Sequence, residues 1–128
     1  MNLDMIGIIV KDMDESIKFY ECMGLGVSAR HGDDYVELEH DGIRISLNTK
    51  KMITGIYGFE PTSSGDKIEL AFKMPTIEAV DILANKMKEE GYTIFRDAWD
   101  APWGQRYAII KDPNDNLLSL FCNLETTK

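Results

Sequence analysis

The chain says one thing twice, and that repetition limits its possible folds more than any other feature. A strand-like run, Leu3-Asp4-Met5-Ile6-Gly7-Ile8-Ile9-Val10, precedes a helix and further strands, and Lys67-Ile68-Glu69-Leu70-Ala71-Phe72-Lys73 opens a second unit in the same order. Successive strand residues point to opposite sides, so Ile6, Ile8 and Val10 share one face of the first strand and Met5, Gly7 and Ile9 the other. Neither face is charged, and burial on both sides is expected. Asp12 followed by Glu15 is a capping pattern; Met13, Ile17 and Tyr20 then recur at helical spacing until Gly24 and Gly26 stop the helix. A turn at Gly32-Asp33-Asp34, an alternating run at 35–39 and a hairpin signal at Asp41-Gly42 before 43–48 fill out about three more strands.

The second unit repeats this grammar. Ile68, Leu70 and Phe72 share one strand face and Glu69, Ala71 and Lys73 the other; Pro75-Thr76 then opens a helix with Val80, Leu83, Ala84 and Met87 as its apolar stripe, ended by Gly91. Strands are expected at 93–95, 106–110 and 117–122, the last two joined by the turn Asp112-Pro113-Asn114-Asp115-Asn116. Between the units, Gly55, Gly58, Pro61, Ser63, Ser64 and Gly65 make 49–66 read as a linker with a short ordered piece at 56–59. The predicted fold class is α+β. A single domain over 1–128 is expected, built as two tandem β-α-β-β-β modules (module one 1–50, linker 51–66, module two 67–124). Their antiparallel-rich sheets would carry helices outside and curve around a cup.

Composition narrows the function classes. At 128 residues the chain is long enough to bury a core without disulfides or a structural metal. No apolar run approaches the roughly 20 residues needed to cross a bilayer, and the opening residues lack a signal-peptide pattern, so a cytoplasmic protein is expected. Cys22 and Cys122 have no CxxC partner and are expected to be unpaired, core-filling thiols. A net charge of −8 speaks against nucleic acid and anionic membranes as partners. His31 and His40 lie beside turn signals and are expected to be solvated.

Two blocks carry a family resemblance. Asp4-Met5-Ile6-Gly7-Ile8-Ile9-Val10-Lys11-Asp12-Met13 leading to Ser16-Ile17-Lys18-Phe19-Tyr20, and Ala101-Pro102-Trp103-Gly104-Gln105-Arg106 followed by Asp112-Pro113-Asn114-Asp115-Asn116-Leu117, resemble the vicinal oxygen chelate superfamily. That superfamily includes glyoxalase, the extradiol dioxygenases and the bleomycin-resistance proteins. Asp115 stands where the family usually has glycine. The resemblance implies paired β-α-β-β-β modules around a cup-shaped site, and a homodimer. It also implies four metal-ligand positions, one on the first and one on the last strand of each module. These fall on Met5, Ser46, Glu69 and Ser119, where His, Glu, His and Glu are usual. A thioether, two hydroxyls and one carboxylate are a poor donor set for a divalent ion, which wants about three imidazole or carboxylate ligands. No metal and no other cofactor is therefore expected.

An inner face carrying Met5, Gly7, Arg44, Ser46, Asn48, Glu69, Ser119 and Phe121 would mix apolar ground with a few polar groups, as small-molecule sites do. The plainer reading is that Arg44 and Glu69 pair and fill the space. Trp99 and Trp103 lie in 96–106, a polar stretch expected to form a lip; Trp103 is expected in core or dimer packing, while Trp99 and Tyr107 are candidates for stacking a ligand. Glu37 and Glu39 are expected on a solvated strand face. The leading expectation is a metal-free binding protein for a small cationic or aromatic, antibiotic-like compound, using Met5, Arg44, Ser46, Glu69, Trp99, Trp103, Tyr107 and Ser119. The alternatives are a lyase, isomerase or dioxygenase-like enzyme using Glu69 or a non-standard metal site, and an interaction module with a vestigial cup.

Overall fold

The protein is described by a computed structural model covering residues 3–62 and 68–125. It divides into two compact units, Met1–Ser64 and Gly65–Lys128. The first holds β1 (Met5–Val10), α1 (Met13–Met23), β2 (Val27–His31), β3 (Tyr35–Leu38), β4 (Arg44–Thr49) and α2 (Lys50–Tyr57); the second holds β5 (Glu69–Lys73), α3 (Ile77–Glu89), β6 (Ile94–Ala101), β7 (Gln105–Lys111) and β8 (Leu117–Asn123). Each unit has one four-stranded mixed sheet, in the orders β1-β4-β3-β2 and β5-β8-β7-β6, with the first and last strands parallel and the remaining pairs antiparallel. The α+β class and the repeated β-α-β-β-β order are thus those of the sequence.

In the first unit, Ile8, Val10, Val36, Leu38, Ile45 and Leu47 are buried on one sheet face, and Met13, Ile17, Phe19 and Tyr20 of α1 are buried with them. Asp12 caps α1 by accepting from the Glu15 backbone N–H at 3.0 Å. Gly24 ends the helix at φ 102°, a conformation open to glycine at no steric cost. The opposite face of β1 is not uniformly buried as expected. Gly7 is exposed there, and a Cβ added to it would meet the Asn48 amide nitrogen at 3.2 Å.

In the second unit α3 buries Val80, Ala84 and Met87, and Ala108, Ile110, Leu118 and Leu120 supply buried sheet residues. Arg106 on β7 reaches back to α3, donating to both Asp81 carboxylate oxygens at 2.9 and 3.1 Å and to Asp100 of β6 at 3.1 Å. No helix among the described residues is long and apolar enough to cross a membrane.

Two expectations need correction. The segment read as a linker begins with a helix, α2, because Thr49 accepts from the Met52 N–H at 3.2 Å as an N-cap while its hydroxyl donates to Asp34 at 2.7 Å. Gly55 inside that helix and Gly58 at its end gave the stretch a loop-like composition. The supposed lip at 96–106 is mostly strand: β6 runs to Ala101, β7 starts at Gln105, and Gly104 at φ 89° closes the tight turn between them with its N–H on Ala101 O at 3.0 Å. Two register irregularities, at 94/96 and 96/99, break the alternation that marks a strand in sequence.

The β7–β8 turn is organised by Asp112. Its buried carboxylate accepts from the backbone N–H groups of Asn114 and Asn116, both at 2.8 Å, and from the Asn116 side chain at 2.9 Å. Asp115 sits at φ 65°. A residue with a Cβ is disfavoured there, so Asp115→Gly is expected to raise unfolding free energy by about 0.5–1 kcal/mol, read as a higher urea midpoint at unchanged slope.

Candidate functional site

Strand register sets out the polar face of each sheet. In the second unit Glu69 of β5 pairs with Leu117, Ala71 with Ser119 and Lys73 with Phe121; across β8, Phe121 pairs with Tyr107 and Ser119 with Ile109; across β7, Tyr107 pairs with Trp99 and Ile109 with Arg96. The face opposite α3 therefore carries a carboxylate on β5, a hydroxyl and a ring on β8, a phenol on β7, and an indole with a guanidinium on β6. The Ser119 hydroxyl donates to Glu69 at 2.6 Å, and the Tyr107 hydroxyl lies 3.2 and 3.3 Å from its two oxygens. Ser119 is fully buried whereas Glu69 is exposed, so the carboxylate is fixed from below and open above.

Beside it, Trp99, Trp103 and Tyr107 meet edge to face with ring centroids 5.2–5.9 Å apart, and Phe121 stacks on Tyr107 at 6.3 Å. Trp103 is 57% exposed, which overturns the core half of its expected core or dimer packing, and its indole N–H donates to Gln105 at 2.9 Å. Arg96 lies over Trp99 with its guanidinium carbon 3.8 Å from the ring centroid, occupying one face of the ring expected to stack a ligand. Burial pushes the Tyr107 phenol above its ordinary 10.0; Ser119 acts in the lowering sense and Glu69 in the raising sense. Tyr107 is thus a neutral donor at pH 7.

In the first unit Met5 pairs with Arg44, Gly7 with Ser46, and Ser46 in turn with Glu37. Arg44 donates to Asp4 at 2.8 Å and to both oxygens of Glu37 at 3.2 and 2.6 Å. Tyr35 donates to Glu37 at 2.8 Å and lies 3.5 Å from the Met5 sulfur. Asn48 donates to Ser46 at 3.0 Å, both of them buried. Arg44 and Glu69 each find partners inside their own unit. Glu37, expected on a solvated face, is instead the centre of this network. Its parity with Tyr35 and its pairing with Ser46 were the signals, and only the register makes the second visible. His31 and His40 are exposed, while both free cysteines are half-buried.

Hydrogen bonds from Arg44, and then from Tyr35, hold the Glu37 carboxylate below its ordinary 4.5. A lowered carboxylate stabilises the fold above its unfolded value and loses that contribution as pH falls through the folded one. Stability should therefore drop below pH 4.5, and Glu37→Gln should flatten that part of the acid limb in pH-dependent urea unfolding. Tyr35 is pushed the other way, chiefly by burial and then by Glu37, so its contribution and that of Tyr107 are lost as pH rises above 10.0.

A family model described as Glyoxalase/Bleomycin resistance protein/Dioxygenase superfamily matches residues 2–120. The chain belongs to this superfamily. Among solved structures that share its fold, a glyoxalase-related enzyme from Fulvimarina pelagi aligns at TM-score 0.87 and 19% identity over 96% of this chain and 88% of that one. A glyoxalase/bleomycin resistance protein/dioxygenase family enzyme from Burkholderia phytofirmans PsJN aligns at 0.83 and 24% over 97% and 100%, and a glyoxalase/bleomycin resistance protein/dioxygenase from Nocardioides at 0.82 and 20% over 100% and 87%. No curated protein matches the chain.

The metal-ligand positions implied by the resemblance fall on Met5, Ser46, Glu69 and Ser119. These residues do not fit a divalent ion: the Met5 sulfur is a weak, soft donor beside Tyr35, Ser46 accepts from Asn48, and Ser119 spends its proton on Glu69. No group of three or more His, Cys, Asp or Glu residues that could hold a metal occurs among the described residues.

Proposed function

We propose that this superfamily member is a metal-free binding protein for a small cationic or aromatic compound, and that the polar face of the second unit is its site. The observation that carries the reading is Glu69: an exposed carboxylate anchored by Ser119 and Tyr107 at the rim of a partly exposed aromatic cluster. A cation gains both a carboxylate and ring faces in such a place. Donors already bound to both oxygens make Glu69 an anchored acceptor, which suits holding a ligand better than abstracting a proton. Met5, Arg44 and Ser46 belong to the first unit's own network.

A thermal-shift screen of cationic aromatics tests this: a ligand at a hundred times its Kd adds about 2.7 kcal/mol of stability. A compound that raises the melting temperature of the protein and of Glu69→Gln equally would count against the site. Elemental analysis of protein purified without chelator tests the metal-free part, which stoichiometric zinc, nickel, iron or manganese would overturn. The resemblance extends the proposal to a cytoplasmic homodimer, for which light scattering would report twice the chain mass of 14.5 kDa.

A further inference from the structure

The proposed site leaves one strong group unexplained. Arg96 is exposed, its guanidinium carbon lies 3.8 Å from the Trp99 ring centroid, and no carboxylate or carbonyl among the described residues accepts a hydrogen bond or ion pair from it. The other arginines on strands contrast with it. Arg44 has Asp4 and Glu37, Arg106 has Asp81 and Asp100, and Arg30 has Asp14 and Asp33. Even Asp97, next to Arg96 in sequence, pairs with Lys88 at 3.5 Å. In a chain of net charge −8, a guanidinium left without a carboxylate stands out chemically.

Its place on the sheet gives it a role. Arg96 is in register with Ile109, which is in register with Ser119, so it lies on the same face as Glu69, at the opposite edge of the sheet. Three interstrand spacings separate β5 from β6, roughly 14 Å at about 4.8 Å each. By register Ser119 and Ile109 lie between the two strands' residues, and side-chain contacts join the ends: Tyr107 reaches Glu69 at 3.2 Å, Trp99 meets Tyr107 at 5.6 Å, and Arg96 lies over Trp99. A guanidinium held over a ring face keeps N–H groups with which arginine can grip a carboxylate through two parallel bonds, and Arg96 is exposed.

We infer that Arg96 is the anion-binding end of this site and that the ligand class is amphoteric: a basic group for Glu69, a flat apolar middle, and a carboxylate for Arg96. The inference rests on the proposed binding at Glu69 and narrows it. A lone cation would leave Arg96 opposing it, whereas a compound charged at both ends satisfies both edges.

Isothermal titration with two probes, 4-(aminomethyl)biphenyl and 4′-(aminomethyl)biphenyl-4-carboxylate, tests the inference on the full chain and on Arg96→Gln. Because Arg96 is exposed, the variant should fold, and its melting curve checks this. The carboxylate probe should bind the unaltered protein about tenfold more tightly than the amine. Arg96→Gln should erase that difference while leaving the affinity for the amine unchanged or higher, and Arg96→Lys should restore only part of it. Equal affinities for the two probes on the unaltered protein, with both lost in Glu69→Gln, would overturn the role of Arg96 and leave the binding proposal standing. Binding of neither probe would overturn both.

Discussion

Glu69→Gln should weaken binding of a cationic aromatic compound ten- to a hundredfold, the equivalent of about 1.5–3 kcal/mol for a charged hydrogen bond. The amide keeps the shape of the carboxylate, and its one oxygen, set where Oε2 stands, can still accept from Ser119 and Tyr107, which lie 2.6 and 3.3 Å from that atom. The charge is lost, and the second acceptor becomes a donor. Since Glu69 is exposed, the melting temperature of the unliganded variant should stay near that of the parent, so a loss of ligand-induced stabilisation reports on the site and not on folding. Trp103→Ala offers a second, smaller perturbation of the same face. Its ring is 57% exposed, so little packing is lost, whereas a stacked ligand would lose the most accessible indole.

Phe19→Ala should be the most damaging single change to the fold, lowering unfolding free energy by about 3–5 kcal/mol. Phe19 is fully buried in α1 and meets Tyr20 edge to face at a centroid distance of 4.9 Å. Truncation removes the apolar area and leaves a cavity in a close-packed core, in which Tyr20, Val10, Val36 and Leu47 are likewise fully buried. Urea unfolding followed by circular dichroism would read the loss as a lower midpoint. A change below about 1 kcal/mol would mean that α1 packs less tightly on its sheet than the geometry indicates.

The repeat, both helix caps and the order of strands could be read from the chain because each rests on local chemistry. Asp12 and Glu15 mark the start of α1, Thr76 that of α3, and Gly24 and Gly91 the points where left-handed backbone is needed. The helix α2 escaped because two glycines outweigh one threonine cap in a composition-based reading. β6 was read only at its start, 93–95, because its irregular pairing with β7 breaks the two-residue period further on, which also made Trp99 look like a loop residue. Within the site, Glu69, Ser119 and Tyr107 follow from strand parity and the resemblance. The bond between Ser119 and Glu69 spans 50 residues, the Tyr107 contact 38, and no local pattern encodes either. Glu37 and Arg96 were hidden for the same reason: what distinguishes a solvated charge from a site residue is the neighbouring strand, and register is a property of the folded sheet.

In the proposed function Glu69 binds a small molecule without the help of a metal. Isothermal titration of 4-(aminomethyl)biphenyl into protein dialysed against a chelator, alongside Glu69→Gln, measures that directly. Saturable binding that survives chelation and weakens at least tenfold in the variant is the expected result. Binding that vanishes on chelation and returns with a divalent ion, or that ignores the loss of the Glu69 charge, would contradict it.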